Sequence, residues 1–140
     1  MRSNGIQMNP KLARSLKVFF AQRQEILLAF LFGSFAKGQA RPSSDVDIGV
    51  LFSSVPGIDA LTSLTDDLSS LVRKEIDLAV LNEASPILKM QVLKSGILLY
   101  AKDKKYYHQF FVDTVNQYDD LKQVRRPIEE SILKGRIYAR

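Results

Sequence analysis

Three acidic residues and a glycine–serine pair are the residues of this chain whose types and spacing can do chemistry. Gly33-Ser34 follows an apolar run, and after ten further residues Asp45-Val46-Asp47 opens a second strand-like segment. Glycine lets the backbone approach a ligand closely, and a serine hydroxyl with the amides of a helix start donates to phosphate oxygens. Positions 45 and 47 of a strand face the same side, so their carboxylates lie together. The pattern predicts a site for phosphate and a divalent cation.

The chemistry typical of such a site is phosphoryl or nucleotidyl transfer. Mg²⁺ binds through one or two carboxylates plus substrate phosphates, and two such ions can hold the attacking and leaving oxygens. A third carboxylate is needed to complete a two-metal site and to receive a proton. Asp77 is the best candidate, and Glu75, on the same face of its segment, is the rival. Each part alone is typical of an ordinary turn or a solvated strand end, but the combination favours the functional interpretation.

The elements that must position these residues alternate between strand and helix patterns, which indicates an α/β fold. Strands are predicted at residues 26–32, 45–52, 75–81 and 97–100. The first of them is apolar throughout, which is typical of a strand buried on both faces. Helices are predicted at about 10–23 with Asn9 as cap, at 61–72, at 86–95 and from 103 onward, with a break or restart at Pro127.

Composition indicates one globular domain. The chain has 140 residues, of which 46% are hydrophobic and 25% charged. The absence of cysteine excludes disulfides, thiolate metal sites and cysteine nucleophiles, and it suits the cytoplasm. The longest apolar run is far shorter than the ~20 residues of a membrane-spanning helix, and no signal peptide is predicted. A net charge of +5 leaves nucleic acid or an acidic partner open and supports neither.

The spacing Gly33-Ser34, ten residues, Asp45-Val46-Asp47 resembles the GS-x10-DxD signature of DNA polymerase β-like nucleotidyltransferases. With residues 75–78 and 93–100 following in order, the chain is similar to the MntA-type minimal nucleotidyltransferase antitoxins of HEPN/MNT toxin–antitoxin pairs. The resemblance covers roughly residues 10–100. It implies a small mixed β-sheet flanked by helices, with a nucleotidyltransferase domain at 9–101. Residues 102–140 would be a helical extension that packs on this domain or on a partner.

The resemblance also implies an activity: Mg²⁺-dependent transfer of AMP from ATP to a tyrosine hydroxyl of a cognate HEPN ribonuclease toxin, which silences the toxin. Gly33 and Ser34 match the nucleotide-binding positions, and Asp45, Asp47 and Asp77 match the catalytic and metal-binding positions. Two alternatives stay open. One is a binding module that occludes the toxin, and the other is a small-molecule nucleotidyltransferase of the aminoglycoside-modifying kind, although those enzymes generally carry an additional substrate domain.

Residues outside this cluster carry weaker signals. Lys37 and Arg41 are placed to reach a triphosphate, with surface solubility as the equal alternative. His108 has no nucleophile beside it, so packing or surface is favoured. Residues 122–140 carry a surplus of four positive charges, typical of a solvated face, with nucleotide, toxin or RNA as other ligands. Four aromatic residues share helical spacing and are predicted to be core more than partner surface: Tyr106, Tyr107, Phe110 and Phe111.

Overall fold

The fold is a four-stranded sheet between two layers of helices. The computed structural model describes residues 10–41 and 43–138, with side chains described as far as residue 122. The strands are β1 (Ile26–Phe32), β2 (Val46–Phe52), β3 (Ile76–Val80) and β4 (Ile97–Ala101). The helices are α1 (Pro10–Ala21), α2 (Gly33–Ala36), α3 (Ile58–Val72), α4 (Pro86–Ser95) and α5 (Lys104–Tyr138), with a 3₁₀ turn at Leu81–Glu83.

The sheet is mixed, as the resemblance implied. Its strand order is β3-β2-β1-β4. β1 pairs antiparallel with both β2 and β4, whereas β2 and β3 are parallel and are joined through α3. β1 is therefore an inner strand, and its residues from Leu28 to Leu31 are almost completely buried. The prediction of a strand buried on both faces is confirmed.

Two apolar clusters cover the two faces of the sheet. On one face, α1 and α3 supply Leu16, Phe20 and Leu68, which pack against Val46 and Ile48 among others. On the other face, Val92 of α4 and Phe110 of α5 pack with Leu28, Phe30 and Leu81. Alternate residues of each strand therefore belong to different layers, which is the ordinary consequence of the two-residue period of a strand.

Local sequence explains where α4 begins and ends. Ser85 caps its N-terminus, because the Ser85 hydroxyl accepts a hydrogen bond of 3.1 Å from the Leu88 amide, and Pro86 occupies the first helical position. The helix ends against Gly96, where an added Cβ would lie 2.3 Å from the carbonyl oxygen of Val92. A side chain at residue 96 would therefore push α4 away from the chain entering β4.

Two expectations about α5 are corrected. The helix continues through Pro127 instead of breaking there: proline removes only its own hydrogen bond to the preceding turn, and the bonds on either side can persist. Phe111 is 46% exposed, while Phe110 is buried and Tyr106 and Tyr107 pack partly against the core. One residue is a rotation of about 100° around a helix, so Phe111 points away from the face that Phe110 buries.

Some expectations fall outside the described part of the chain. The Asn9 cap and the side chains of the basic tail beyond Lys122 belong to this group. His108 is exposed, with its ring edge-on to Tyr107. No helix in the described ranges is both long and apolar enough to cross a bilayer. The cytoplasmic location and the boundary at residue 101 stay predictions.

Candidate active site

The turn from β1 into α2 places Gly33 directly against an acidic side chain. Gly33 has φ of +75°, a left-handed conformation that favours glycine. A Cβ built on Gly33 would lie 2.1 Å from Oδ2 of Asp47 and 2.9 Å from its Cγ. No side chain at residue 33 leaves the Asp47 carboxylate where it lies. The glycine is thus required both by the backbone conformation and by the close approach of this carboxylate.

The pairing register of β2 and β3 brings Asp77 beside Asp47. Phe32, at the end of β1, lies opposite Asp47 in the antiparallel pair, and Asp47 lies opposite Asp77 in the parallel pair. The neighbours Val46 and Ile76 face the core formed with α1 and α3. Asp47 and Asp77 therefore point to the opposite face of the sheet and stand side by side on it.

That face is open where the two carboxylates lie. The principal contacts that α4 and α5 make with the sheet are to β1 and β4, and the 3₁₀ turn lies against β2 near Leu81. Asp45, just before β2, and Asp77 are exposed, and Asp47 is half-buried. Molecules in solvent can therefore reach the acids on the part of this face that α4 and α5 leave uncovered.

The electrostatics of the site are those of crowded negative charge. Partial burial raises the pKa of the Asp47 carboxyl above its ordinary value, and the charge of Asp77, a side-chain hydrogen bond with Asp77 and the charge of Asp45 raise this pKa further. Like charges this close disfavour ionisation of all members together. A cation beside them would relieve the repulsion, so the arrangement suits a positively charged ligand.

The structure brings together most of the residues that the sequence singled out. Gly33, Asp47 and Asp77 form the close group, and Asp45 acts on Asp47 through its charge. Within the described ranges, no three acidic or histidine side chains converge into a complete metal-binding cluster. Mg²⁺ characteristically takes one or two carboxylates and completes its shell with phosphates and water, so a pair with a nearby third acid fits this ion.

The remaining candidates are separated from the close group. Glu75 is exposed and precedes β3, and its carbonyl accepts a hydrogen bond of 2.9 Å from the Val46 amide. Asp77, not Glu75, is the acid that acts on Asp47. Ser34 lies half-buried in α2, while Lys37 and Arg41 are exposed in the chain that follows.

Sequence reasoning missed one contact between α2 and the chain that precedes β3. The Nζ atom of Lys74 lies 5.5 Å from the ring centroid of Phe35, within the range of a cation–π interaction. Phe35 is the residue after Ser34, and Lys74 comes shortly before β3. The two are far apart in the chain, and no local pattern indicates that they meet.

Comparison with known proteins shows the family to which this chain belongs. Residues 14–105 match the family model described as "Polymerase beta, Nucleotidyltransferase". Because the match spans more than half of the chain, the protein belongs to this nucleotidyltransferase family, which confirms the resemblance noted in the signature.

Within this family, the chain is similar to particular proteins of known name or structure. The chain is 30% identical over 109 residues to the protein adenylyltransferase MntA of Shewanella oneidensis, over 78% of each sequence. It is 28% identical to a chain of a crystal structure of a toxin–antitoxin with AMP-PNP, with a TM-score of 0.72 and coverage of 90% and 99%. A chain of the solved structure of the tri-AMPylated Shewanella oneidensis HEPN toxin in complex with MNT antitoxin is also similar, at 25% identity, with a TM-score of 0.69 and coverage of 88% of this chain and 97% of that chain.

Proposed function

We propose that this protein is an antitoxin that acts as a protein adenylyltransferase. It transfers AMP from ATP to a tyrosine hydroxyl of a cognate HEPN-family toxin and thereby neutralises the toxin. The observation that carries the proposal is the pair Asp47 and Asp77, which lie opposite each other across two strands, with Asp47 packed against Gly33. The similarity to MntA and to chains of HEPN toxin complexes supports a protein acceptor.

The nucleotide would be held by its phosphates at the start of α2. The first amides of a helix have no acceptor within it, so those following Gly33, together with the Ser34 hydroxyl, are available to phosphate oxygens. Gly33 has no side chain to obstruct this approach. Lys37 and Arg41 are near enough in sequence to add positive charge at the triphosphate.

Asp45, Asp47 and Asp77 would hold Mg²⁺. Their fit to this ion is supported by the all-oxygen donor set and by the raised pKa of Asp47, to which burial contributes most and the charges of Asp77 and Asp45 add. Bound there, Mg²⁺ neutralises phosphate charge and lowers the pKa of the attacking hydroxyl. The carboxylates would fix the position of the ion beside the acceptor hydroxyl, and positioning dominates catalysis of phosphoryl transfer.

The transfer exchanges one phosphorus–oxygen bond for another. The tyrosine oxygen forms a bond to the α-phosphorus of ATP, the bond from that phosphorus to the β-phosphate oxygen breaks, and pyrophosphate leaves. Asp77, exposed at the open face, takes the phenolic proton. An ordinary tyrosine pKa is about 10, so a proton acceptor beside the hydroxyl makes the phenolate available at neutral pH.

The test is intact-mass spectrometry of the cognate HEPN protein after incubation with this protein, ATP and Mg²⁺. The active-site variant is Asp45→Asn/Asp47→Asn, and the matched control is Asp66→Asn/Asp120→Asn, which removes two exposed carboxylates from helices. We expect one or more additions of AMP with the wild type and the matched control, and none with the active-site variant.

The other outcomes distinguish the competing functions. No mass increase with tight binding of the HEPN protein retained would replace the transferase by an antitoxin that acts through occlusion. Nucleotide consumption without modification of the HEPN protein would indicate a small-molecule acceptor. A mass increase that survives in the active-site variant would show that the assigned carboxylates are wrong.

A further inference from the structure

On one side the sheet ends at β3, and this edge lies beside the carboxylates. In the strand order β3-β2-β1-β4, β3 pairs with β2, and its other side carries no strand from the described part of the chain. β3 also carries Asp77, the acid that stands next to Asp47. The other edge strand, β4, is separated from β2 by β1. The free edge of β3 is therefore the sheet edge that adjoins the proposed active site.

Backbone groups of β3 face outward from this edge. The Val46 amide donates to the Glu75 carbonyl at 2.9 Å, and Val46 lies opposite Ile76. Alternate residues of a strand bond to one neighbour, so Glu75 turns its backbone groups to β2, whereas Leu78 and Val80 turn their amides to the free edge. Both residues are only half-buried. A row of outward backbone groups at a sheet edge is a template for pairing with another chain.

An apolar groove follows the same edge on the face that α3 covers, opposite to the face of Asp77. We name it the α3–β3 groove, and its volume is about 310 Å³. Ile58 in its wall is 77% exposed, and the hydroxyl of Thr65 already donates to the Leu61 carbonyl at 2.8 Å. The groove therefore offers apolar surface to a side chain that arrives beside β3. Its lining residues are Ile58, Leu61, Thr62, Thr65, Asp66, Leu78 and Val80.

We infer that the acceptor tyrosine lies on an extended segment of the HEPN protein, which pairs with the free edge of β3 as a fifth strand. This inference rests on the proposed adenylyltransferase function. When a strand is added to a sheet edge, main-chain hydrogen bonds give affinity and pockets for alternate side chains give specificity. The edge and the α3–β3 groove supply these two parts side by side. A helical segment would not fit the edge, because its backbone groups are bonded within the helix.

Strand geometry decides which side chains of the segment meet each part. Residues directly opposite each other in paired strands point to the same face of the sheet, so a tyrosine opposite Asp77 stands on the open face with the carboxylates. The residues one and three positions away lie opposite Leu78 and Val80 and point to the α3–β3 groove. The inference therefore requires an apolar residue one or three positions from the modified tyrosine.

Amide hydrogen exchange of the wild-type protein tests the pairing directly. NMR compares the free protein with its complex with the HEPN protein, Mg²⁺ and an ATP analogue in which a methylene group replaces the oxygen between the first two phosphates. AMP cannot be transferred from this analogue, so the complex is observed before reaction. We expect exchange of the Leu78 and Val80 amides to slow about fivefold or more, since each gains an acceptor. Outward amides of β4 should exchange at unchanged rates.

Ile58→Glu tests the groove, and Val18→Glu is its matched control. Each places a carboxylate at an exposed apolar position of a helix, and Val18, which is 57% exposed, lies in α1, which packs on β1 and β4. In Ile58→Glu, kcat/KM for the HEPN protein should fall about tenfold, the weight of one apolar side-chain contact, while KM for ATP stays within about twofold. Val18→Glu should retain both values.

The outcomes separate this inference from the proposed function. Unchanged exchange at Leu78 and Val80, in a wild-type protein that transfers AMP from ATP, would overturn the strand pairing and leave the transferase standing. Equal kcat/KM in Ile58→Glu and Val18→Glu would also overturn it, as would a modified tyrosine with only polar residues one and three positions away on both sides. Slowed exchange without any transfer from ATP would remove the transferase and keep the β3 edge as the surface that binds the HEPN protein.

Discussion

Gly33 and Gly38 form a natural pair for testing whether the position of Asp47 governs catalysis. Both have positive φ, +75° and +71°. An alanine at either position takes on the strain of the left-handed region, about 1–2 kcal/mol. An added Cβ at Gly38 meets nothing within 4 Å, whereas at Gly33 it lies 2.1 Å from Asp47 Oδ2. The two substitutions therefore share their backbone strain and differ in what they do to one carboxylate.

The expected changes in stability and rate follow from what the added Cβ meets at each position. We expect Gly38→Ala to lower the free energy of unfolding by about 1–2 kcal/mol. Gly33→Ala should cost about 1 kcal/mol more, since the nearest obstructing atoms belong to a side chain that can rotate at a modest off-rotamer cost. That rotation moves the carboxylate by more than 1 Å, and a misplacement of this size can cost about 100-fold in rate. AMP transfer by Gly33→Ala should therefore fall about 100-fold, and transfer by Gly38→Ala should stay within about threefold of wild type.

The assay combines urea unfolding with the initial rate of AMP transfer to the HEPN protein at saturating ATP. Rates are measured below the unfolding transition of each variant, so loss of folded protein does not enter. The reasoning is refuted if Gly33→Ala transfers AMP as fast as Gly38→Ala. If the two rates are equal and both lie well below the wild-type rate, strain in the loop, and not the position of the Asp47 carboxylate, is the cause of the loss.

Further predictions concern charge, metal and packing. In EDTA at pH 7, Asp47→Asn should unfold at a higher temperature than the wild type. Because the folded-state pKa of Asp47 is raised, the wild type gains stability as the pH falls through that pKa toward 3.8. The difference in unfolding temperature between the two proteins should therefore shrink on acidification. Mg²⁺ at 100 times its Kd should stabilise wild type by about 2.7 kcal/mol, and Asp45→Asn/Asp47→Asn should abolish this gain in thermal unfolding. Ser85→Ala, which loses the cap on the Leu88 amide, should cost about 1 kcal/mol in urea unfolding and leave AMP transfer unchanged. Leu68→Ala, in the fully buried core, should cost about 2–5 kcal/mol by the same measurement.

Much of the fold could be predicted because local patterns decide it. The apolar run of β1, the Ser85-Pro86 start of α4 and the stop at Gly96 each carry a physical signal within a few residues. The spacing of Gly33-Ser34 and the two aspartates likewise indicated the strand end at which the acids lie. Strand alternation placed Asp45 and Asp47 on one face before any pairing was known.

What could not be predicted depends on contacts between distant segments. The register that sets Asp47 opposite Asp77 is decided by how β2 and β3 pack together, and it places Asp77, not Glu75, beside Asp47. Burial of the aromatic stripe depended on how α5 is rotated, so Phe111 was misassigned. The free edge of β3 had no sequence signal either, because the pairing of distant segments decides which strand ends the sheet.

The parallel pairing of β2 with β3 ties the correct strand register to the geometry of the proposed active site. A slip of β3 by one residue would turn Ile76 toward solvent and Asp77 into the apolar layer under α3, since side chains alternate between faces. The same slip would separate the two carboxylates. A misregistered molecule would therefore be unstable as well as inactive, and quality control that removes unstable chains would also remove the inactive ones. For a protein proposed to restrain a toxin, molecules with this register error would be unstable rather than folded and inactive.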